Sequence, residues 1–315
     1  MTSKRIKFFS FLIIIILLTI SACDVNRFQE DIFSGEIEAH FIDVGHGDAI
    51  LVKFLDENSR YVMLIDAGPD DGPLDLFDNR VVSYLNEMNI KKIDLVVATH
   101  PHGDHIGGMI EVFNTFEIEK VIDSGIELSD SDYYKAYREA IEANNIEVTE
   151  GRKGISIELV KGVSFDIVHP VEPVIDSTGT NKEVNNDSIV GQIRYNNVGF
   201  LFTGDIEREA EEEILNRRTD IKNEILKVAH HGSISSSTRD FIEAVKPRTA
   251  VIQCPGFQEG PDYFHLPNEK VIERLEKAGV EVYRTDKHGD IIITTDGESY
   301  SVEYEKVEKL HYSEI

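Results

Sequence analysis

The chain has 315 residues, with 32 Lys and Arg against 58 Asp and Glu, a formal net charge of −26, two Cys and no Trp. With 41% hydrophobic and 29% charged residues it carries apolar material for a large core, which excludes wholesale disorder. A charge this negative excludes a protein that grips nucleic acid through a broad basic face. Two cysteines, neither in a CxxC pair, exclude a disulfide-rich scaffold, and the length admits one large or two ordinary domains.

At the start of the chain, Lys4, Arg5 and Lys7 precede an apolar run over 8–20, broken by Ser10 and Thr19. That pattern is a signal peptide, too short for a comfortable membrane span. The run ends in Ile20-Ser21-Ala22-Cys23, which resembles the lipobox of bacterial lipoproteins. The resemblance implies a lipoprotein signal peptide at 1–22, lipidation of Cys23 and a polar tether over 23–35. No linker divides 36–315, which reads as one domain. An ordinary signal peptide cut nearby, or an uncleaved N-terminal anchor, is the alternative. Acyl chains hold a protein on a membrane with no spanning helix, so the expected location is extracytoplasmic and lipid-anchored. Cleavage would remove three bases and no acid, leaving 29 bases against 58 acids and a charge of −29. Cys254 is then left without a partner cysteine.

Beyond the tether, 36–43 alternates Ile37, Ala39 and Phe41 on one face, a half-buried strand. Strands follow at 49–54 and 61–66, and Val81, Val82, Leu85 and Met88 mark an amphipathic helix over 76–90. The apolar stretch 94–99 is a short buried strand running into a His-rich loop. Helices are predicted at 106–115 and 131–144, and strands at 119–123, 155–160 and 163–168. The segment 171–186, rich in Pro, Thr, Asn and Gly, reads as a loop. The pattern then begins again, with strands at 188–195 and 198–203, a helix at 206–217 and a strand at 224–229. A helix at 238–246, a strand at 249–253, a helix at 267–278 and strands from 280 to 304 complete it. Two such runs predict an α/β fold of two similar halves packed sheet to sheet with helices outside.

The chemistry is concentrated in Thr99-His100-Pro101-His102-Gly103-Asp104-His105. Three imidazoles and a carboxylate at the end of a buried strand sit where α/β sites are built. His100 and His102, two apart, can chelate one ion, with Asp104 and His105 turned to a neighbouring position. Imidazole and carboxylate without thiolate suit Zn²⁺, Mn²⁺ or Fe²⁺. A solvated His-rich turn is the bland alternative.

This His-x-His-x-Asp-His run resembles the signature of the metallo-β-lactamase fold, a four-layer αβ/βα sandwich with a metal cleft at one edge. Leu64-Ile65-Asp66-Ala67-Gly68 resembles that family's first motif, whose Asp supports the site by hydrogen bonding. Phe202-Thr203-Gly204-Asp205 resembles the fourth, whose carboxylate bridges two metals, and Lys227-Val228-Ala229-His230-His231-Gly232-Ser233 the final His motif. Phe41-Ile42-Asp43-Val44-Gly45-His46-Gly47-Asp48, Asn186-Asp187-Ser188 and the run from Tyr283 to Gly289 look like the hydrolase domain of ComEC-type competence proteins and of related phosphorylcholine esterases.

The resemblance implies two divalent ions, Zn or Mn, held by His100, His102, Asp104, His105, Asp205 and His230. Many family members place a third His near residue 187, where this chain has Asn185-Asn186-Asp187-Ser188, so the His100/His102 site is expected to hold its ion more loosely. Asp66 and Asp187 are expected to support the ligands. Adjacent residues leaving a strand point to opposite sides, so one of His230 and His231 is read as ligand, His230 by preference, and His231 as the proton-carrying neighbour. Asp104, His231 and His265 are the catalytic candidates. Asp43 and Asp48 could equally brace their glycine-rich turn, and His265 could be a surface histidine.

No nucleophile elbow, Walker loop or nicotinamide fingerprint is present, which leaves hydrolysis by a metal-bridged hydroxide. The expected substrate is a phosphodiester, in nucleic acid or in a small choline-type ester, with Lys227, Arg194, Arg208 and Arg284 as candidate local bases. A metal-containing surface binding protein without activity is the remaining alternative. No protein partner is inferable.

Overall fold

The computed structural model describes residues 33–56, 60–70, 79–175, 184–256 and 265–305. The predicted signal peptide, Cys23 and nearly all of the tether lie outside the described residues. The first half of the chain lays down β1 (Glu36–Phe41), β2 (Ala49–Leu55) and β3 (Arg60–Ala67), then α1 (Arg80–Glu87), β4 (Lys92–Ile93) and β5 (Leu95–Ala98). It continues through α2 (Gly103–Ile106), α3 (Met109–Thr115), β6 (Glu117–Ile118), β7 (Lys120–Asp123), α4 (Asp132–Ala143) and β8 (Glu147–Glu150). The second half repeats the plan with β9 (Ser156–Val160), β10 (Val163–His169), β11 (Val190–Tyr195), β12 (Val198–Phe202), α5 (Arg208–Asn216) and β13 (Ile225–Lys227). Then come α6 (Arg239–Val245), β14 (Thr249–Ile252), α7 (Glu269–Lys277), β15 (Glu281–Arg284), α8 (Thr285–His288), β16 (Ile291–Thr295) and β17 (Tyr300–Tyr304).

One sheet runs β17-β16-β1-β2-β3-β5-β7-β8, antiparallel as far as β3 and parallel beyond it. The other runs β15-β14-β13-β12-β11-β10-β9, parallel from β12 to β15. Both change from antiparallel to parallel part way across, as the repeated sequence pattern implies. The last two strands nevertheless leave the second sheet: β16 pairs with β1, with Ile37 opposite Thr295 and Phe41 opposite Ile291. That long-range pairing carries no local signal.

The pleat sorts side chains into layers. Leu51, Leu64, Val96 and Val121 meet α1, α3 and α4 on one outer face, while Leu201, Leu226 and Ala250 meet α5, α6 and α7 on the other. Phe54, Phe200 and Phe202, fully buried on the alternate positions, fill the space between the sheets, each worth roughly 1.5–3 kcal/mol on burial. The result is a four-layer α/β sandwich, helices–sheet–sheet–helices. Gln253 Nε2 ties the halves by donating to the carbonyls of Ile42 (3.0 Å) and Ala49 (2.9 Å).

Side-chain caps start α1 and α4. Asn79 accepts from Val81 N and Val82 N at α1, and Ser131 from Tyr134 N at α4. The predicted helix at 106–115 is two short helices instead. They join at Gly108, where a Cβ would lie 2.1 Å from Ala67 O, so the chain crosses β3 too closely for any side chain. Short β4, β6 and β8 and the single turn α8 were not predicted, being too brief for a periodic signal.

Candidate metal centre

Loops at one end of the two sheets converge on a single cluster. The loop after β5 carries His100 to His105, the turn after β12 carries Asp205, and the turn after β13 carries His230 and His231. Asp48 comes from the β1–β2 loop and Asp66 from the end of β3. His105 Nε2 lies 3.2 Å from Asp205 Oδ2 and 3.8 Å from Asp104 Oδ2. His231 Nε2 lies 3.2 Å from Asp205 Oδ2 and 3.4 Å from Asp104 Oδ2. One ligand atom from each of Asp104, His105, Asp205 and His231 falls within 4.8 Å of all the others.

The far side of each imidazole is fixed. His105 Nδ1 donates to Asp66 Oδ2 (2.8 Å), and His231 Nδ1 donates to the Gln253 carbonyl (3.1 Å). With Nδ1 engaged, Nε2 is the atom each ring turns inward, the one left to ligate a metal once it has lost its proton. Both Nε2 atoms are buried without a hydrogen-bond partner, which suits a cation between them. The donor set of two imidazoles and two carboxylates fits a divalent ion, so the cluster is a candidate metal site.

Asp66 holds more than one loop. Its carboxylate also accepts from Thr99 N (2.8 Å) and Thr99 Oγ1 (2.6 Å), and Thr99 Oγ1 in turn accepts from His100 Nδ1 (3.1 Å). His100 thus presents Nε2 to His102 Nδ1, 3.0 Å away, and its ring centroid is 4.1 Å from that of His105. The pair forms a second, smaller donor set beside the first. Asp187 is fully buried and accepts from Ile175 N (2.8 Å), while Ser188 Oγ accepts from Asp205 N (3.2 Å). That anchors the turn bearing Asp205.

The electrostatics are those of a site built around positive charge. Burial opposes a charge on His105, yet Asp205, Asp104 and Asp66 outweigh it and hold the ring's pKa well above its usual value. His231 is raised in the same way, against burial, by Asp205 and Asp48. The carboxyls of Asp104 and Asp205 are held well below the usual range, the histidines overcoming the cost of burial. His100 moves the other way: burial, with His105 and His102 beside it, pushes its pKa well down and leaves it neutral.

The structure reverses the expected order of the adjacent histidines. His231 is fully buried and joins the four-residue cluster, whereas His230 sits at the rim with its Nε2 4.0 Å from Asp205 Oδ2. His230 Nδ1 faces Glu207 Oε1 at 3.0 Å. The reason is the backbone: within Ala229–Gly232 both histidines take left-handed angles, φ 48° and 52°. The strand alternation assumed for them therefore does not apply, and a non-glycine pair in this region is strained.

Several other assignments change. Lys227 is buried, ion-paired with Asp48 and 3.8 Å from Asp205 Oδ1, so it braces the site and cannot meet a polyanion. Arg284 is buried in a bidentate pair with Asp286, while Arg194 and Arg208 are exposed, Arg194 in an ion pair with Asp220. Asp48, read as an even choice between turn and site, points inward to Lys227 and His231. Asp43 stays in its turn, accepting from Gly45 N. His265 is exposed, and no hydrogen bond or ion pair among the described residues ties it to the cluster. Two participants were missed. His46 packs edge-on to His231 with its Nε2 3.5 Å from Asp104 Oδ2, and Glu207 faces His230. The glycines around His46 were the available signal; Glu207 had none.

Comparison with known proteins agrees with this architecture. The chain is 29% identical over 272 residues to ComE operon protein 3 of Bacillus subtilis (strain 168), covering 82% of this chain and 33% of that protein. It is 26% identical over 248 residues to the Competence protein ComA of Neisseria gonorrhoeae, covering 78% of this chain and 30% of that protein. The chain thus spans about a third of the length of these relatives. Among solved structures, a mutant of CmlA beta-hydroxylase superposes with a TM-score of 0.51 at 11% identity, covering 81% of this chain and 53% of that one, a likeness of fold alone. A family model described as the Metallo-beta-lactamase superfamily matches residues 42–256, more than half of the sequence, and the chain belongs to that superfamily.

Proposed function

We propose that the protein is a metal-dependent phosphodiesterase, nuclease-like in its chemistry, exported and held to the membrane through a lipid on Cys23. The observation that carries the catalytic part is the convergence of Asp104, His105, Asp205 and His231, with Nδ1 of both imidazoles engaged and Nε2 turned inward. Asp205 reaches both rings and would help hold an ion between them; His100 and His102 would supply a second, looser site. Divalent ions bound there lower the pKa of water and stabilise charge on a phosphoryl oxygen. His230, turned by Glu207 so that Nε2 faces the cleft, is placed to hand a proton to the leaving oxygen. Similarity to two competence proteins supports a phosphodiester as substrate.

A small phosphodiester remains the second reading, because three of the four candidate bases are held in ion pairs. The test is metal analysis of purified protein together with hydrolysis of bis-p-nitrophenyl phosphate in Mn²⁺. Asp205→Ala should abolish that hydrolysis, and its survival would remove the role given to Asp205. The anchor is tested by Cys23→Ala, which should release the protein from the membrane fraction.

A further inference from the structure

With three of the four candidate bases held in ion pairs, contacts other than charge are worth seeking for a bound phosphodiester. Among the described residues five large apolar side chains are exposed, and two of them, Tyr133 and Ile234, adjoin the loops that form the cluster. Tyr133 is the more telling. Its ring packs against Gly103, between His102 and Asp104, so closely that a Cβ on Gly103 would come within 2.6 Å of Cδ2 and 2.9 Å of Cε2. The missing side chain at Gly103 is what lets an aromatic ring lie on the metal-site loop. The residue is nonetheless 44% exposed. Its neighbour Tyr134 turns under the same loop, lining a small void with His100 and Pro101 and packing on the core. The loop is thus supported from below by Tyr134, while Tyr133 stays partly open to solvent. Ser131 caps α4 just before it and fixes the ring's base.

We infer that Tyr133 is a specificity-determining residue: its ring forms the wall of the cleft on which a planar group of the substrate, a nucleobase or comparable aromatic ring next to the scissile phosphate, stacks. An aromatic face accepts any base without reading sequence, and it binds as well in an acidic protein as in a basic one. This rests on the phosphodiesterase reading.

The test compares kcat and KM on two single-stranded oligonucleotides of equal length, one carrying bases and one abasic, for the wild type, Tyr133→Ala and Tyr133→Phe in Mn²⁺. Tyr133→Ala should raise KM about tenfold on the base-bearing strand, the size of one base–aromatic stack, with kcat little changed. The abasic strand should be insensitive, and Tyr133→Phe should restore the wild-type KM. An equal loss on both strands, or a loss that Phe does not rescue, would overturn the assignment, as would no change at all. Wild-type protein that hydrolyses bis-p-nitrophenyl phosphate yet treats both strands alike would overturn the stacking wall and leave the phosphodiesterase reading standing. Protein that hydrolyses none of the three would overturn both.

Discussion

Replacing Asp66 by Asn changes one atom at the point where the metal loop is held, and its effect can be worked out donor by donor. In the wild type Oδ1 accepts from Thr99 N, and Oδ2 accepts from Thr99 Oγ1 and His105 Nδ1. All the partners are buried. An Asn that keeps its oxygen on Thr99 N must aim its NH₂ at His105 Nδ1. The ring then does best by moving its proton to Nε2, the atom that faces Asp205 and the candidate ion. The flipped amide instead sets NH₂ against the Thr99 N–H, an equally poor exchange. Keeping Nε2 free therefore costs a buried donor–donor clash, about 1.4–2.7 kcal/mol, or a 10- to 100-fold loss of metal affinity. Competition titration of Zn²⁺ against a chelating dye measures this directly, and melting in EDTA establishes that the variant is folded. Wild-type affinity in a folded Asp66→Asn protein would refute the argument that Asp66 sets the tautomer of His105.

The reversed histidines predict that His231→Ala loses bound metal whereas His230→Ala retains it and loses turnover; equal metal content in the two variants would remove the distinction. Lys227→Met leaves Asp48 buried without its cation and should cost about 3–5 kcal/mol in urea unfolding, far more than an exposed lysine. In metal-free protein the pKa values of His105 and His231 stand above those of the unfolded chain, so folding favours their charged forms. That contribution is complete below about pH 6.5 and is lost as pH rises through the folded values, so stability from this source falls in alkali. A divalent ion requires the same rings neutral, so the stabilisation it gives should grow over the same interval. Melting curves in EDTA and in excess Zn²⁺ should therefore diverge as pH rises, and parallel curves would contradict the shared-site argument.

What the sequence reveals and what it hides divide along physical lines. The run from His100 to His105 is legible because six consecutive residues after an apolar strand must share one loop. The two-half pattern is legible because strand and helix periods are local. The order of His230 and His231 is hidden, since it turns on two left-handed residues that no glycine or asparagine advertises. Lys227 reads as a surface base because lysine almost always is one, and the distant Asp48, with Asp205 and the Gly204 carbonyl, makes its burial tolerable. The pairing of β16 with β1 joins residues some 250 positions apart, a closure that periodicity cannot foresee. His265 is suggested by resemblance alone, and among the described residues no hydrogen bond or ion pair ties it to the cluster.

The closure of the sheet by β16 also gives the molecule a direction. Flanked on both sides by antiparallel partners, β1 enters at Glu36 and delivers the chain, roughly 17 Å further on, into the loop that carries Asp48 to the metal cluster. Glu36 and the candidate metal cleft therefore sit at opposite ends of one strand, so a change at the start of β1 reaches the cluster only through the strand's pairing with β2 and β16.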